Sequence, residues 1–99
     1  MQTQQNYTQN LQAPIVSFIV TTYNLPIDYI KECLDSILQL SLNPKEREII
    51  LIDDGSDICP LNDLAEYLPN IIYLRHANQG VSLARNYGMK IATGKYIQF

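Results

Sequence analysis

Two adjacent carboxylates, Asp53 and Asp54, follow a run of apolar residues and offer the clearest chemistry in the chain. Adjacent carboxylates repel each other, so each must be solvated or paired with a donor. An ionised carboxylate only accepts hydrogen bonds, which suits it to the N3–H of a uracil or to the hydroxyls of a ribose. The alternative is a polar turn in which Ser56 or Asp57 caps the next helix. The residues alone favour neither interpretation.

A second group of polar residues follows the first apolar run, at residues 21–24. It holds two hydroxyls, a phenol ring and an amide, and a ring such as Tyr23 can stack on a nucleobase with a gain of about 1–3 kcal/mol. Composition alone favours the alternative, in which these residues only end a strand and cap a helix. The candidate ligand-binding residues of this group are Thr21, Tyr23 and Asn24.

The third group surrounds Gly80, which opens a predicted helix. The N-terminus of a helix attracts phosphate through its unpaired N–H groups, and Ser82 lies beside it. Arg85, on the first turns of that helix, can pair with a diphosphate. An internal ion pair of Arg85 with Asp53 or Asp54 is an equally supported alternative.

Short apolar runs and helical patterns alternate along the chain. Apolar, β-branched runs predict strands over residues 15–20, 48–52, 71–74 and 95–99. The predicted helices cover residues 27–38, 61–68 and 82–92, the last with Gly94 as its C-cap. This order predicts an α/β fold, a three-layer, Rossmann-like, mostly parallel sheet with right-handed crossovers.

Parallel sheets of this kind bind ligands beyond the carboxyl ends of their strands. That rule selects the loops at residues 21–24, 53–57 and 76–82, which contain all three groups of candidates. Residues 1–13, rich in Gln, Asn and Thr, are predicted to form a flexible tail, and residues 14–99 one domain. The last predicted strand runs to the final residue, so we expect a fragment of a longer protein.

Composition excludes several classes of protein. With 46% apolar and 17% charged residues the chain is globular, and its net charge of −3 argues against a nucleic-acid partner. Cys33 and Cys59 cannot complete a zinc site with the single His76, so we expect reduced thiols in a cytoplasmic protein. The tail lacks the features of a signal peptide, and no apolar run reaches the roughly 20 residues of a membrane helix.

Taken in order and spacing, five segments resemble the N-terminal half of the family-2 glycosyltransferases, which have a GT-A fold. The resembling segments are residues 16–24, 33–38, 48–56, 78–88 and 92–99. The resemblance, together with the alternation of strands and helices, predicts the strand order 3-2-1-4. Two pairs depart from the commoner family sequence: Val20-Thr21 replaces Pro-Thr, and Asp57-Ile58 replaces Thr-Asp.

The resemblance implies roles for particular residues. Thr21 and Tyr23 would line the nucleotide pocket, and Asp54 would bind the uracil. Residues 78–85 would border the nucleotide and its diphosphate. The full set of expected nucleotide-binding residues is Thr21, Tyr23, Asn24, Asp53, Asp54, Gly80, Ser82 and Arg85.

The resemblance also implies an activity. The parent protein would be an inverting hexosyltransferase that moves a sugar from a nucleotide-diphosphate sugar, a UDP-sugar, to a saccharide or lipid-linked acceptor. It would use Mn²⁺ or Mg²⁺ held by a DxD motif just after Phe99, and its catalytic base would also follow Phe99. No catalytic residue or metal ligand is expected within the chain, which by itself would be inactive. We expect it to be cytoplasmic or peripheral at the inner membrane face, and its open sheet edge to favour self-association.

Other functions fit less well. A sugar-phosphate nucleotidylyltransferase would want a glycine-rich loop after the first strand, where residues 21–26 contain no glycine. A dinucleotide-binding domain would need GxGxxG at the same place. A receiver-like signalling domain would share its acidic cluster between the first and third strands, which here end in other residues. A non-catalytic nucleotide-binding module is the remaining alternative to an enzyme.

Overall fold

The computed structural model describes residues 14–99, and the predicted tail at residues 1–13 lies outside the described residues. A four-stranded, wholly parallel sheet forms the centre, with the order β3-β2-β1-β4. The strands are β1 (Val16–Thr22), β2 (Arg47–Asp53), β3 (Ile72–Arg75) and β4 (Tyr96–Gln98). The predicted strand order 3-2-1-4 is confirmed.

Helices cover both faces of the sheet, which confirms the three-layer α/β architecture. They are α1 (Ile27–Leu38), a 3₁₀ helix (Leu61–Asn70) and α2 (Val81–Ile91). One core cluster joins α1 and the 3₁₀ helix to Ile49 and Leu51 of β2, and a second joins Ala84 of α2 to Ile50 and Ile52.

Strand β2 lies at the centre of both clusters. Because successive side chains of a strand point to opposite faces, its alternate residues serve the two cores in turn. Residues 49–52 are all at most 1% exposed. This explains why β2 is a continuous apolar run rather than an alternating one, as is usual for a parallel strand covered on both faces.

Two strands are longer at their carboxyl ends than their apolar runs predict. β1 continues through Thr22 and β2 through Asp53, and these two residues are partners in the parallel register. The backbone ladder does not require apolar side chains, so it persists after the hydrophobic pattern stops. Thr21 and Thr22 are therefore strand residues, not loop residues as predicted.

The second helix differs from its prediction in type. It is a 3₁₀ helix that includes Pro69, where a short amphipathic helix ending before that residue was predicted. Its buried residues are Leu64 and Tyr67, three positions apart, which matches the three residues per turn of a 3₁₀ helix.

The predicted C-cap of the last helix is wrong. α2 ends at Ile91, and its capping residue is Ala92 in an extended conformation. Gly94 lies two residues further on and allows the chain to approach β1: a Cβ there would lie 2.6 Å from Oγ of Ser17. The N–H of Gly94 donates to that same hydroxyl over 2.8 Å.

The edge strand β4 is short and exposed in the described part of the chain. The self-association expected from this edge stays a prediction. Over residues 14–99, no helix combines the length and hydrophobicity that crossing a membrane requires.

Candidate functional site

The β1 loop, residues 23–26, leaves the carboxyl end of the first strand with its tyrosine accessible. Tyr23 is 47% exposed, whereas Thr22 is buried and its hydroxyl has no hydrogen-bond partner among the described residues. Asn24 has φ of 54°, in the left-handed region that asparagine adopts more readily than most residues. The resulting sharp turn carries the chain from β1 to α1.

Asn24 joins the β1 loop to the β2 loop, residues 54–60. Its N–H donates to Oγ of Ser56 over 2.9 Å. Its side-chain oxygen accepts from the N–H of Asp57 over 2.8 Å. These reciprocal bonds fix the backbone beside Tyr23 against the turn that follows β2.

The side chain of Asp53, the last residue of β2, stabilises the β2 loop through hydrogen bonds. Its side chain is fully buried, with Oδ1 accepting from the N–H of Ser56 (3.0 Å) and Oδ2 accepting from Tyr73 (3.0 Å) and Arg75 (2.6 Å). Arg75 also donates to the carbonyl of Ser56 over 2.5 Å. Asp53 therefore stabilises the turn and offers no accessible oxygen to a nucleotide, in contrast to its predicted role.

Electrostatics agree with this arrangement. Burial by itself would raise the pKa of Asp53, but the hydrogen bonds from Ser56 and Tyr73 and the charge of Arg75 outweigh it and lower the pKa. The pKa of Tyr73 is raised by burial and by its hydrogen bonds with Cys59 and Asp53. Asp53 is therefore held in its ionised form, paired with the guanidinium of Arg75.

Asp54 joins the β2 loop to the β3 loop, residues 76–80. Its Oδ1 accepts from the N–H of Gln79 (2.9 Å), and its Oδ2 accepts from the N–H of Gly80 (2.9 Å) and from the amide of Asn78 (3.1 Å). Its own N–H donates to the carbonyl of Thr22 over 2.8 Å. One residue thus contacts both neighbouring segments at the sheet edge.

Close packing between the same two loops depends on a glycine. Gly55 has φ of 80°, and a Cβ on it would lie 2.6 Å from the backbone nitrogen of Asn78. Both the conformation and the space therefore require glycine. His76 completes the contact, with its N–H donating to the carbonyl of Asp53 over 3.1 Å.

The His76 ring lies beside Asp54 without a well-aligned hydrogen bond. Its Nε2 is 3.2 Å from Oδ1 of Asp54, yet within residues 14–99 this buried atom has no partner of acceptable hydrogen-bond geometry. The ring also packs near Tyr87, with 5.7 Å between the centroids. The His76 ring thus lies close to both Asp54 and Tyr87.

Helix α2 starts at this junction. Its first intrahelical bond runs from the N–H of Ala84 to the carbonyl of Gly80, so the N–H groups of residues 81–83 have no acceptor within the helix. Such groups form an anion-binding end. Ser82 is exposed at this end.

Arg85 pairs with neither aspartate, so the internal ion pair considered from sequence is wrong. It is exposed, and its guanidinium lies 5.5 Å from the centre of the Phe99 ring. The partner of Asp53 is Arg75, which is its neighbour in the β2–β3 register. Register is the signal that would have found this pair, and it is not readable from sequence spacing.

Three loops thus meet at the carboxyl edge, as predicted, and the structure brings Asp54 and Gly80 into direct contact. A cavity of about 340 Å³ borders the β1 and β2 loops, with Asn24, Ser56 and Asp57 in its wall. A larger one, of about 630 Å³, borders His76, Gln79 and α2. The role of these residues in nucleotide binding stays a prediction.

A metal ion does not fit the residues present. Within residues 14–99, no three His, Cys, Asp or Glu side chains are grouped so that they could hold one. The two aspartates nearest the loops already accept hydrogen bonds on both oxygens. The metal implied by the resemblance therefore has no ligand set within residues 14–99.

Comparison with known proteins gives a consistent result. The sequence model described as glycosyl transferase family 2 matches residues 17–99. The minor teichoic acid biosynthesis protein GgaB of Bacillus subtilis is 38% identical over 87 residues, covering 84% of this chain and 10% of GgaB. The uncharacterized glycosyltransferase EpsJ of B. subtilis is 42% identical over 91 residues, covering 87% of this chain and 25% of EpsJ.

Solved structures agree. S. aureus TarS (residues 1–349) superposes with a TM-score of 0.74 at 30% identity, over 84% of this chain and 26% of that one. The mannosyltransferase PcManGT of Pyrobaculum calidifontis, in complex with GDP-Man and Mn²⁺, superposes with a TM-score of 0.72 at 28% identity, over 88% and 27%. The chain spans about a quarter or less of the length of GgaB and EpsJ.

Proposed function

This chain belongs to glycosyl transferase family 2, and from that premise we propose that its three joined loops bind the nucleotide of a nucleotide-sugar donor. The observation that carries the proposal is the position of Asp54, which bonds to the last residue of β1 and to the segment after β3 at one polar edge of the sheet. Loops at the carboxyl ends of parallel strands are where such folds bind ligands.

The nucleotide is proposed to lie with its base near Tyr23 and its diphosphate near the start of α2. The exposed ring of Tyr23 supports the first half, because aromatic rings stack on bases. The N–H groups of residues 81–83, which have no acceptor within the helix, support the second, as does the exposed hydroxyl of Ser82. Arg85, further along the exposed side of the same helix, supplies a positive charge.

For the parent protein we propose transfer of a hexose, with inversion, from a UDP-sugar to a saccharide or lipid-linked acceptor. The name of GgaB places that relative in teichoic acid synthesis, which supports a glycan acceptor. PcManGT binds GDP-Man, so GDP is the competing nucleotide. The proposed location is the cytoplasm, and an acceptor carried by a lipid would bring the protein to the inner membrane face.

A divalent metal, Mn²⁺ or Mg²⁺, is proposed for the parent protein. Support comes from PcManGT, which was solved with Mn²⁺. Because residues 14–99 have no matching ligand set, the DxD motif and the catalytic base stay expectations for sequence after Phe99. The chain itself is proposed to supply nucleotide recognition.

Mapping nucleotide-induced shifts of backbone amides tests this proposal. The ¹⁵N-labelled 99-residue chain is titrated with UDP and, in parallel, with GDP. We expect shifts at Tyr23, Gly80 and Ser82, saturating at lower UDP than GDP concentration. The polar cluster at the opposite edge, where Glu48 accepts from Ser17 and Thr93, is the internal control. No saturable shift, or shifts centred on Glu48, would contradict the proposal.

A further inference from the structure

We propose that Ser56 is a positioning residue, which sets where the ring of Tyr23 lies by holding the β1 loop to the β2 loop. This inference rests on the proposed nucleotide-binding function, in which that ring stacks on the base. Stacking requires the two ring faces to lie against each other, so it depends on where the tyrosine is held. The bonds of Ser56 supply that constraint.

Ser56 is bonded to three separate parts of the fold. Its N–H donates to Oδ1 of Asp53 over 3.0 Å, and its carbonyl accepts from Arg75 of β3 over 2.5 Å. Its Oγ accepts from the N–H of Asn24 over 2.9 Å. The residue is only 5% exposed, so its hydroxyl acts on the β1 loop rather than on a ligand. Through Ser56 the two central strands and the edge strand β3 together hold the start of the β1 loop.

The position of Tyr23 depends on this bond because Asn24 follows it directly. Asn24 has φ of 54°, a left-handed conformation that a residue other than glycine keeps only when its surroundings favour it. The bond to Ser56, with the reciprocal one from the N–H of Asp57 to Oδ1 of Asn24, supplies that support. Tyr23 is 47% exposed, so the backbone that carries its ring contributes strongly to its placement.

The start of α2 is held by different bonds. Asp54 accepts from the N–H groups of Gln79 and Gly80, and the hydroxyl of Ser56 takes no part in these contacts. The Ser56→Ala change also leaves the backbone bonds of residue 56 to Asp53 and Arg75 in place. Loss of the hydroxyl should therefore disturb the base end of the proposed site and spare the diphosphate end.

A double-mutant cycle tests this inference. Dissociation constants for UDP and for inorganic pyrophosphate are measured in the 99-residue chain, in Ser56→Ala, in Tyr23→Ala and in the double variant. We expect Ser56→Ala to weaken UDP binding roughly fivefold, with pyrophosphate binding unchanged. In the Tyr23→Ala background the same change should have no further effect on UDP, because the ring that Ser56 positions is gone.

Three results would overturn the inference. They are unchanged UDP affinity in Ser56→Ala, an equal loss for UDP and pyrophosphate, and a UDP loss that persists in the Tyr23→Ala background. The last two would show that Ser56 acts on the whole fold or on the nucleotide directly. Urea titration of each variant identifies any that does not fold.

A second pair of variants keeps the test valid if Ser56→Ala does not fold. Asn24→Gly retains the positive φ but removes the oxygen that accepts from the N–H of Asp57. We expect the same selective loss of UDP affinity, again absent in the Tyr23→Ala background. Asn24→Asp keeps an accepting oxygen and should bind UDP more tightly than Asn24→Gly. Equal UDP affinity in Asn24→Gly and the unaltered chain would contradict the inference.

Failure of the proposed function gives a different pattern. If the unaltered chain binds neither UDP nor pyrophosphate, or if Tyr23→Ala binds UDP as well as the unaltered chain does, the proposed binding of the nucleotide fails. If Tyr23→Ala weakens UDP binding and Ser56→Ala does not, the inference alone fails.

Discussion

Asp53 and Asp54 are sequence neighbours whose carboxylates bind different parts of the chain. Asp53 accepts from Tyr73 and Arg75 on β3, and Asp54 accepts from the loop at residues 78–80. Each carboxylate has its own donors, which offsets their mutual repulsion. The Asp53 carboxylate therefore stabilises the turn after β2, and the Asp54 carboxylate orders the loop at residues 78–80.

Replacing Asp53 by asparagine is expected to destabilise the fold. The change removes the buried negative partner of Arg75 and puts an amide against its hydrogen-bond donors, and leaving a buried donor unpaired costs about 1–3 kcal/mol. The free energy of unfolding from urea titration measures this. Asp57→Asn is the matched control, because Asp57 is exposed in the loop that follows Asp53 and donates only its backbone N–H, to Asn24. Equal stability of the two variants would contradict the assignment.

Low pH is expected to destabilise the fold through protonation of the Asp53 carboxylate. The pKa of Asp53 is lower in the folded chain than the roughly 3.9 of an unfolded aspartate. Its contribution to stability is therefore fully present above about pH 4 and is lost as the pH falls towards the folded pKa. Urea midpoints measured from pH 6 to pH 3 should fall less steeply in Asp53→Asn than in the unaltered chain. Parallel curves would show that Asp53 titrates normally.

The order of elements could be predicted from sequence because β2 and α1 have strong apolar patterns. The apolar pattern did not predict where the strands end. Thr22 and Asp53 are paired by backbone bonds alone, so the predicted strands stopped short of them. A helix was predicted over residues 61–68, whereas the structure has a 3₁₀ helix at Leu61–Asn70 that includes Pro69.

The site was predicted only in part. The sequence selected three loops that meet at the carboxyl edge of the sheet, but the hydrogen-bond partners within them depend on the register between distant strands. Arg75 pairs with Asp53 because β3 lies beside β2, whereas the sequence offered Arg85 as a possible partner of Asp53 or Asp54. The roles of Ser56 and Asn78 are likewise set by close contacts between loops more than 20 residues apart.

Alanine substitutions at two glycines separate the stability cost of a changed backbone conformation from the cost of disturbed loop packing. Gly55 and Gly80 both have positive φ, so alanine at either position is expected to cost about 1–2 kcal/mol. Only at Gly55 would the new Cβ also collide with the backbone of Asn78. Thermal unfolding should therefore show a larger loss for Gly55→Ala than for Gly80→Ala. The reverse order would mean that the two loops do not pack as described.

The 99-residue chain is expected to bind nucleotide without transferring sugar. The carboxylates of Asp53 and Asp54 already accept hydrogen bonds from the protein. Asp57 is exposed, and its hydrogen bond to Asn24 uses the backbone N–H rather than the carboxylate. Incubation with UDP- and GDP-sugars, Mn²⁺ and candidate acceptors should release no nucleoside diphosphate above a protein-free control. Release that Asp54→Ala abolishes would show a complete catalytic site within this chain.

The affinity of the Tyr23→Ala variant for UDP tests most directly whether these loops bind a nucleotide. Loss of base stacking should weaken binding by about 1–3 kcal/mol, or roughly 5- to 150-fold, in calorimetric titration. Tyr29→Ala is the matched control, because that tyrosine is 60% exposed on α1 and makes no side-chain hydrogen bond within the described residues. The account predicts a large loss for Tyr23→Ala with the control unchanged. Equal UDP affinity in both variants and in the unaltered chain would contradict it.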